Sequence, residues 1–524
     1  MVVGSGCQTA WKMPDIRGDG PDPRQAIFDG EPRPAYNPRV RHVFILLAAL
    51  AGAALGGCEH GSKPAHERTN VLLVVLDTTR ADRLSCYGYP RATTPALDRL
   101  AESGVRFERA YANSSWTLDS HASMFTGLYP VGHRATQETL RLSEGPATLA
   151  EILTDAGYRT FATSANPVVC AATGLARGFE RFSEAFREKA PADAEHPNNA
   201  AFRAFLAGAG RDRPFFAFVN FIEPHLPYSP PEPHRSRFVG DTYPADEVES
   251  AGMLGMADHY MKGPLTPRQL AVLSDLYNGE VATVDEHVGA LLGILDRDGR
   301  ATSTLVIVTS DHGENLGEHG HFAHVFDIHD TLVRVPLIVR FPGGGQARAG
   351  TVRRDIVTLV DLFPTILDSC AVNHESRGPG RGLFAGPARS SDDVVMAEYY
   401  YPRQVFSVLD PEALELNWEK FVPFMRRLRA VRDGSFKLIW GSSGPSELYD
   451  MTRDPEEREN LLAGDHDHPA RLRLEAAMQR LVALHQGEVP LEPPPPIGWM
   501  MPGFEERADD PERIERLRSL GYVR

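Results

Sequence analysis

The chain has 524 residues, which is enough for one large domain with a smaller companion. Its 70 acidic residues outnumber its 55 Lys and Arg residues, so the formal net charge is −15 at pH 7. An excess of negative charge on this scale argues against a nucleic-acid-binding groove and against electrostatic adsorption to anionic lipid.

The first 57 residues are predicted to lie outside the folded domain. Arg39 and Arg41 precede a 15-residue uncharged apolar stretch (43–57), which matches the basic start and apolar middle of a secretory signal. The stretch is too short to span a bilayer, which takes about 20 apolar residues. Leu55-Gly-Gly-Cys58 resembles a bacterial lipobox, in which the cysteine is lipidated and becomes the new N-terminus. We therefore expect lipidated Cys58 to attach the protein to a membrane of the cell envelope, outside the cytoplasm. A signal without lipid and an uncleaved anchor are the alternatives.

Residues 58–68 are predicted to form a polar tether and residues 69–385 an α/β domain. Here short apolar segments alternate with helical patterns, which is typical of a mostly parallel central sheet flanked by helices. Residues 240–266 are predicted to be a loop or insertion over the site. The predicted strands are Val71–Leu76, Thr160–Ser164, Phe215–Phe221, Thr304–Thr309 and Pro336–Arg340. The predicted helices are Pro95–Ser103, His121–Thr126, Ala147–Ala156, Asn198–Gly208, Pro267–Leu295 and Val357–Ser369.

After a Gly/Pro/Arg-rich stretch, residues 386–462 are predicted to form a small antiparallel subdomain. The segment 428–440 has apolar residues on both sides of Asp433-Gly434, a dipeptide typical of a hairpin turn. Residues 463–524 are predicted to form a C-terminal helix, Pro469–His485, and a polar tail.

Polar residues that could bind a metal follow two of the predicted strands. Asp77 comes directly after the first strand, and Asp311 and His312 follow the strand Thr304–Thr309. The carboxyl ends of parallel strands meet at one edge of a sheet, where α/β proteins place their ligands. Between these segments in sequence lies Thr117, next to a helical pattern. A hydroxyl at a helix start beside a cation is a candidate nucleophile.

Four further motifs stand in a defined order along the chain. They are Cys86-Tyr-Gly-Tyr-Pro-Arg-Ala-Thr-Thr-Pro-Ala-Leu-Asp98, Thr148-Leu-Ala-Glu-Ile-Leu, Glu223-Pro-His225-Leu-Pro-Tyr228 and Glu447-Leu-Tyr-Asp-Met. Together with the strand ends and the Thr117 region, they resemble the sulfatase family of the alkaline phosphatase superfamily, from about residue 70 to about residue 462. The resemblance implies an alkaline phosphatase-like fold and an enzyme that hydrolyses sulfuric or phosphoric esters at one divalent metal ion.

The resemblance also implies a set of metal ligands: Asp77, Asp311, His312 and Thr117. Most sulfatases have a second acid after the first aspartate, where this chain has Thr78, so one oxygen ligand is lost or replaced. The imidazole of His312 shifts the preference from a hard calcium-type site towards Mn²⁺, Zn²⁺ or similar ions, and the choice among Mn, Zn, Ca and Mg stays open. Residues expected to orient the ligands by hydrogen bonds are Glu314, Glu318, His319 and His321.

Thr117 occupies the position at which sulfatases carry the Cys or Ser that is oxidised to formylglycine. The modification recognises Cys-x-Pro-x-Arg, whereas this chain has Thr117, Asp119 and His121 at the three defining positions. The resemblance therefore implies no formylglycine, and Thr117 itself would have to attack the substrate. The alternative is that Thr117 only binds the metal or caps the helix.

Three histidines are further catalytic candidates by the resemblance. His225 corresponds to the residue that contacts the anion and protonates the leaving oxygen. His324 lies where many sulfatases have a lysine, and His121 replaces the arginine of the family motif. Both replacements exchange a fixed cation for a titratable group, which would weaken sulfate binding at neutral pH. The sequence does not indicate where three further cationic side chains lie relative to the site: Arg80, Lys262 and Arg334.

The leading interpretation is a metal-dependent hydrolase of a sulfated or phosphorylated small molecule, glycan or lipid. A formylglycine hydrate can expel sulfate by collapsing to an aldehyde, but a Thr ester cannot, so its sulfur or phosphorus must be attacked a second time. This favours phosphoryl chemistry, whereas the family match favours sulfate. Two alternatives stay open: a transferase that passes a phosphoryl-linked group to an envelope acceptor, and a non-catalytic binding protein.

Overall fold

The structure is a computed structural model that describes residues 68–188, 194–343, 349–375, 378–384, 386–390, 392–406, 418–464 and 467–486. The predicted leader, the predicted lipid-bearing Cys58, nearly all of the tether and the tail beyond residue 486 lie outside these residues. No helix in the described ranges has both the length and the apolar character needed to cross a bilayer.

The strands of the described residues form one large sheet, one small antiparallel sheet and a two-stranded ribbon. They are β1 (Asn70–Leu76), β2 (Val105–Tyr111), β3 (Arg159–Ser164), β4 (Arg181–Glu184), β5 (Phe215–Phe221), β6 (Thr304–Thr309), β7 (Asn315–Leu316), β8 (Phe322–Ala323), β9 (Arg334–Val335), β10 (Leu337–Arg340), β11 (Thr351–Thr358), β12 (Val395–Tyr399), β13 (Leu428–Arg432), β14 (Phe436–Gly441) and β15 (Glu447–Asp450).

The large sheet has the order β11-β2-β10-β6-β1-β5-β3-β4, and β9 pairs with β2. β10 and β9 run antiparallel to their neighbours, and the other pairings are parallel. β1 lies in the middle and is buried at every position. Continuous apolar strands of this kind are typical of a sheet covered on both faces. The predicted mostly parallel α/β fold is therefore confirmed.

The helices flank this sheet. They are α1 (Pro95–Glu102), α2 (Thr117–Thr126), α3 (Pro130–His133), α4 (Leu149–Asp155), α5 (Pro197–Gly208), α6 (His234–Val239), α7 (Ala245–Gly252), α8 (Pro267–Arg297), α9 (Asp330–Val333), α10 (Leu362–Ser369), α11 (Arg403–Phe406), α12 (Trp418–Phe421) and α13 (Pro469–Gln486). The 31-residue helix α8 begins with a capping box between Thr266 and Gln269, and residues 276–285 in its middle are buried on every side.

Three sequence predictions need correction at the level of single elements. The helix predicted to begin at His121 begins four residues earlier, at Thr117. The predicted helix 357–369 is split: residues 357 and 358 end β11, and the helix starts at Leu362. The predicted loop 240–266 contains α7, because Val248 and Ala251 are buried one helical turn apart, and a π-helical turn at Asp258–Lys262.

The small sheet has the order β12-β13-β14-β15 and is antiparallel throughout. The predicted hairpin is β13 and β14, with Asp433 accepting two backbone N–H bonds at its turn. Lys437 of this sheet is buried and lies 2.8 Å from Asp330 and 2.6 Å from Glu457. Although burial opposes the charged form, Lys437 and Arg432 hold the pKa of Asp330 well below its usual range. A buried ion-pair network therefore joins the small sheet to Asp330 at the start of α9.

Candidate active site

Asp77, Asp311 and His312 meet at the carboxyl edge of the large sheet. Asp77 follows β1 and Asp311 follows β6 by two residues, and these strands are parallel neighbours with Val75 paired to Thr309. All three side chains are fully buried, and each offers a ligand atom within 4.8 Å of the other two. The sequence therefore predicted the convergence of these three residues correctly, since strand order brings distant segments to one edge.

The charges of this cluster are not balanced by the described residues. Burial, and then the neighbouring Asp311, raise the pKa of Asp77 well above its usual value. Oδ1 of Asp77 and Oδ2 of Asp311 make no hydrogen bond to any described residue. Two buried carboxylates with unsatisfied oxygens are costly unless a cation lies between them. The donor set of two carboxylates and one imidazole therefore fits a divalent metal ion.

His312 is oriented for this role by its own backbone. Its Nδ1 lies 3.0 Å from the carbonyl oxygen of Gly313, which can only accept, so Nδ1 carries the proton. Nε2 then has its lone pair directed into the site, 3.5 Å from Oδ2 of Asp311. Metal-binding histidines commonly donate their second N–H to a carbonyl in this way.

Thr117 lies opposite His312, at the first residue of α2. Its hydroxyl oxygen is 3.3 Å from Nε2 of His312, and the side chain is buried. The helix N-terminus favours negative charge at this position. Ser120, one turn further along α2, donates a 2.7 Å hydrogen bond to the carbonyl oxygen of Asp311. The start of α2 is thus fixed against the segment that carries the candidate ligands.

Asn166 is a site residue that the sequence reasoning missed. It follows β3, and its side-chain amide donates a hydrogen bond to Oδ2 of Asp77. This bond leaves Oδ1 of Asp77 for the cation and opposes the rise in the pKa of Asp77. The available signal was the position of Asn166 just beyond a strand end, the same signal that identified Asp77.

Thr78, which replaces the second acid of the family, has a left-handed backbone with φ of 49°. Its N–H donates to Oδ1 of Asp311 at 3.3 Å, and its buried hydroxyl has no partner among the described residues. Tyr277 of α8 donates a 2.7 Å bond to the Thr78 carbonyl and accepts one from the Arg80 N–H at 2.9 Å. Tyr277 therefore holds the turn that follows Asp77.

His225, His324 and Glu314 form a second layer beside the metal ligands. Nδ1 of His324 is 2.9 Å from Oε1 of Glu314, and its ring centroid is 4.6 Å from that of His312 and 5.0 Å from that of His225. Burial lowers the pKa of His225 to about 4 and raises that of Glu314 to about 7. Burial also lowers the pKa of His324. The two imidazoles are therefore neutral at pH 7.

His121 lies beside both Thr117 and Asp311, and its Nδ1 is 3.6 Å from Oδ2 of Asp311. Its Nδ1 donates a 2.8 Å hydrogen bond to the Thr117 carbonyl, and its ring packs edge-on against Phe218, 5.8 Å between centroids. Burial lowers its pKa, and the ring is fully enclosed. The geometry gives His121 the role of positioning Thr117.

The other residues singled out from the sequence lie further from the ligands. Arg80 is buried in ion pairs with Asp82 and Glu318, each at 2.7 Å. His319 stacks on His329, and His321 is 3.2 Å from the hydroxyl of Tyr260. Lys262 pairs with Asp258, and Arg334 donates to the carbonyl of Glu108. Of the residues expected to support the ligands, Glu314 is the one that borders the site.

Comparison with known protein families gives two matches. The model described as Sulfatase matches residues 69–371, and the model described as N-sulphoglucosamine sulphohydrolase, C-terminal, matches residues 317–484. The first match covers more than half of the chain and contains every residue of the site described above.

Two curated relatives span most of the chain. An N-acetylglucosamine-6-O-sulfatase of Bacteroides thetaiotaomicron is 24% identical over 79% of this chain and 86% of its own length. A multifunctional alkaline phosphatase superfamily protein of Trinickia caryophylli is 25% identical over 78% of this chain and 93% of its own.

Solved structures share the fold. The phosphonate monoester hydrolase of Agrobacterium radiobacter aligns with a TM-score of 0.62 and 24% identity, over 80% of this chain and 95% of its own. A protein solved in complex with its substrate D-glucosamine-2-N,6-O-disulfate aligns with a TM-score of 0.64 and 22% identity, over 81% and 99%.

Proposed function

Because the chain belongs to the sulfatase family and is a hydrolase of ester bonds, we propose that it cleaves sulfate or phosphate esters with Thr117 as the nucleophile. The observation that carries the proposal is the contact of the Thr117 hydroxyl, at a helix N-terminus, with a cluster of two unbalanced buried carboxylates and a ligand-oriented imidazole. Asp77, Asp311 and His312 would hold one divalent cation there, with Thr117 as a further ligand.

The cation, when bound, supplies positive charge beside the Thr117 hydroxyl and the attacked group. Thr117 Oγ1 forms a bond to sulfur or phosphorus, and the bond to the leaving alcohol oxygen breaks. His121 holds the Thr117 backbone through its 2.8 Å bond, and the N-terminus of α2 favours the developing negative charge. The product of this half-reaction is a sulfo or phospho ester on Thr117.

We assign proton transfer to the imidazoles of His225 and His324. Nδ1 of His225 lies 2.6 Å from the carbonyl of Leu226, so this nitrogen carries the proton and Nε2 is basic. Glu314, when ionised, accepts a hydrogen bond from Nδ1 of His324 at 2.9 Å and so favours the corresponding tautomer. Each ring can thus accept a proton at Nε2 and return it to the leaving oxygen as a general acid. Glu314, whose carboxylate favours the charged form of His225, supports that step.

Water must then attack the same sulfur or phosphorus, since a Thr ester cannot collapse to a carbonyl. The bond to the water oxygen forms as the bond to Thr117 Oγ1 breaks, so sulfate or phosphate is released and Thr117 regains its proton. Phosphoryl esters are the substrates that this second step favours, and the phosphonate monoester hydrolase among the structural neighbours agrees with it. The curated N-acetylglucosamine-6-O-sulfatase relative instead favours a sulfated glycan as the substrate. The substrate class we propose therefore includes both esters, on a small molecule, glycan or lipid.

The proposed place of action is the cell envelope, outside the cytoplasm. The support is the sequence around Leu55-Gly-Gly-Cys58, which would attach the enzyme to a membrane through lipid on Cys58. The excess negative charge of the chain would not provide such attachment electrostatically.

The test is turnover by purified, metal-loaded protein of three matched aryl substrates: a sulfate ester, a phosphate monoester and a phosphodiester. Turnover of at least one, abolished in Thr117→Ala, supports the proposal. Turnover that survives in Thr117→Ala means that water attacks directly. No turnover of any substrate, but modification of an added envelope-lipid acceptor by a phosphoryl donor, means a transferase.

A further inference from the structure

A second group of metal-ligand side chains lies outside the site described above. His196 precedes α5, Glu223 follows β5, and His287 lies within α8. Each contributes a ligand atom within 4.8 Å of the other two, and Nε2 of His196 is 3.9 Å from Oε1 of Glu223. Three elements that are distant in sequence therefore converge on one point.

Ring contacts hold the side chains of this group in place, but one carboxylate oxygen of the group has no hydrogen-bond donor among the described residues. The His196 and His287 rings are 4.6 Å apart, and His287 stacks on Phe221. Oε2 of Glu223 is buried and makes no hydrogen bond to any described residue. Buried carboxylate oxygens nearly always have a hydrogen-bond donor, so this exception indicates a place for a ligand.

We propose that His196, Glu223 and His287 bind a second divalent cation of the zinc type. Two imidazoles and one carboxylate form a common zinc ligand set with a fourth position for water. Ligand atoms about 2.0–2.1 Å from a tetrahedral zinc ion lie about 3.3 Å from one another, so the 3.9 Å separation needs only a small contraction.

The charge of the surroundings agrees with a cation here. Glu280 and Asp77 are buried carboxyl groups, and the charge of Glu223 disfavours the ionised form of each. A cation on Glu223 would offset this repulsion at both carboxylates.

Binding requires one local change at His196. Its Nδ1 accepts a hydrogen bond from the Asn198 N–H at 3.2 Å, so Nε2 carries the proton before the ion binds. When Nε2 binds the ion, the proton moves to Nδ1 and this long cap bond is given up. His196 would lose the weak capping hydrogen bond from Asn198 and would gain a bond to the metal ion.

The site would brace the segment that carries His225, because Glu223 lies two residues before it on the same loop. The ion would tie the exit of β5 to the start of α5 and to α8. The second cation would thus support a catalytic candidate through the segment that Glu223 and His225 share.

The test uses the full chain, stripped with a chelator and reloaded with Zn²⁺ or Co²⁺. We expect two ions per chain in the wild type, one in Asp311→Asn, one in His196→Gln/His287→Gln and none in the combined variant. His374→Gln, which removes a half-buried histidine of an unrelated ion pair, should retain two.

Co²⁺ in the Asp311→Asn background isolates the new site from the first. Visible d–d absorption and a metal-dependent rise in Tm should be present there and lost when His287→Gln is added. Two ions retained by His196→Gln/His287→Gln, or no cobalt band in Asp311→Asn with native circular dichroism, would overturn the proposal. Neither readout depends on Thr117 or on turnover.

Discussion

Nε2 of His312 lies 3.3 Å from the hydroxyl oxygen of Thr117, across 195 residues of sequence. The imidazole is fixed by the Gly313 carbonyl and the hydroxyl by the first turn of α2. Because both side chains are fully or nearly fully buried, neither has to be ordered when a substrate arrives. Such preorganisation would supply rate acceleration if Thr117 is the nucleophile, as proposed.

Replacing the nucleophile should separate chemistry from metal binding. Thr117→Ala removes the attacking atom and should lower kcat by at least about 1,000-fold. At saturating metal its metal content should stay near the wild-type value, because Asp77, Asp311 and His312 remain as ligands. Thr117→Ser keeps a hydroxyl with more rotamer freedom and should stay within about 100-fold of wild type. Acid quenching of a brief turnover should trap one sulfo or phospho group on the Thr117 peptide, and high-resolution mass spectrometry distinguishes the two.

Thr117→Cys provides a control for the maturation chemistry. Co-expressed with a formylglycine-generating enzyme, it should retain an unmodified cysteine, because Asp119 and His121 still break the recognition motif. Formylglycine at position 117 in that variant would contradict our account of the motif.

Removing one carboxylate should empty the first metal site. Asp311→Asn leaves Asp77 and His312 but removes the oxygen that no described residue satisfies. We expect the affinity for Mn²⁺ or Zn²⁺ at this site to fall at least about 100-fold, with the fold retained, as judged by titration calorimetry and circular dichroism. Asp77→Asn should behave alike, and full occupancy of this site in both variants would rule out the assignment.

An added acid at position 78 should strengthen the first site. Asp tolerates the left-handed backbone of Thr78 better than a β-branched residue does, and its carboxylate would face the cation. Thr78→Asp should therefore raise the affinity for the hard ions Mg²⁺ and Ca²⁺. Thr78→Asn is the matched control, since it relieves the same backbone strain without adding charge, and it should raise the affinity less than Thr78→Asp does.

The buried pair of His329 and Asp327 makes a pH-dependent contribution to stability. Burial opposes the charged imidazole, but Asp327 outweighs it and raises the pKa of His329 to about 10. This contribution is complete below the ordinary histidine pKa of about 6.5 and is lost as the pH rises towards 10. His329→Gln should lower the free energy of unfolding by about 3 kcal/mol at pH 6 and by clearly less at pH 10.

Urea unfolding at the two pH values measures this difference. His374→Gln is the control, because its partner Asp368 is 45% exposed and the pair contributes little. An equal loss for His329→Gln at pH 6 and pH 10 would mean that packing, rather than charge, carries the effect.

Lipidation of Cys58 should be visible in the mass of the mature protein. The N-terminal peptide should begin at Cys58 and carry diacylglycerol, and Cys58→Ser should release the enzyme from membranes. An N-terminus at Met1, or a mature chain that lacks Cys58, would contradict this prediction.

The central strands were predictable because their burial on both faces leaves a continuous apolar signal, as in β1, β5 and β6. β2 and β11 were not found. β2 alternates Arg and Glu with apolar residues, and β11 begins with exposed polar residues at the sheet edge. Their pairing depends on neighbours that no local pattern encodes.

The metal-ligand candidates were predictable from strand ends, but their partners were not. Asn166 reaches Asp77 because β3 is separated from β1 by β5 alone, a relation fixed by the strand order of the whole sheet. The enclosure of His121 was also hidden, since the sequence gives its helix but not Phe218 on the facing strand. Tertiary neighbours, rather than residue types, decide these roles.

The distance in sequence between the two halves of the first metal site has a consequence for biogenesis. Thr78 donates to Asp311 across 233 residues, so the ligands meet only after β1 and β6 have paired. In an unfolded chain, Asp77 would lie far from the adjacent Asp311 and His312, so the site would be incomplete. Binding would therefore stabilise the folded chain, by an amount that grows with the free ion concentration. Ion supply in the folding compartment would then govern how long each molecule survives proteolysis, as well as how fast it works.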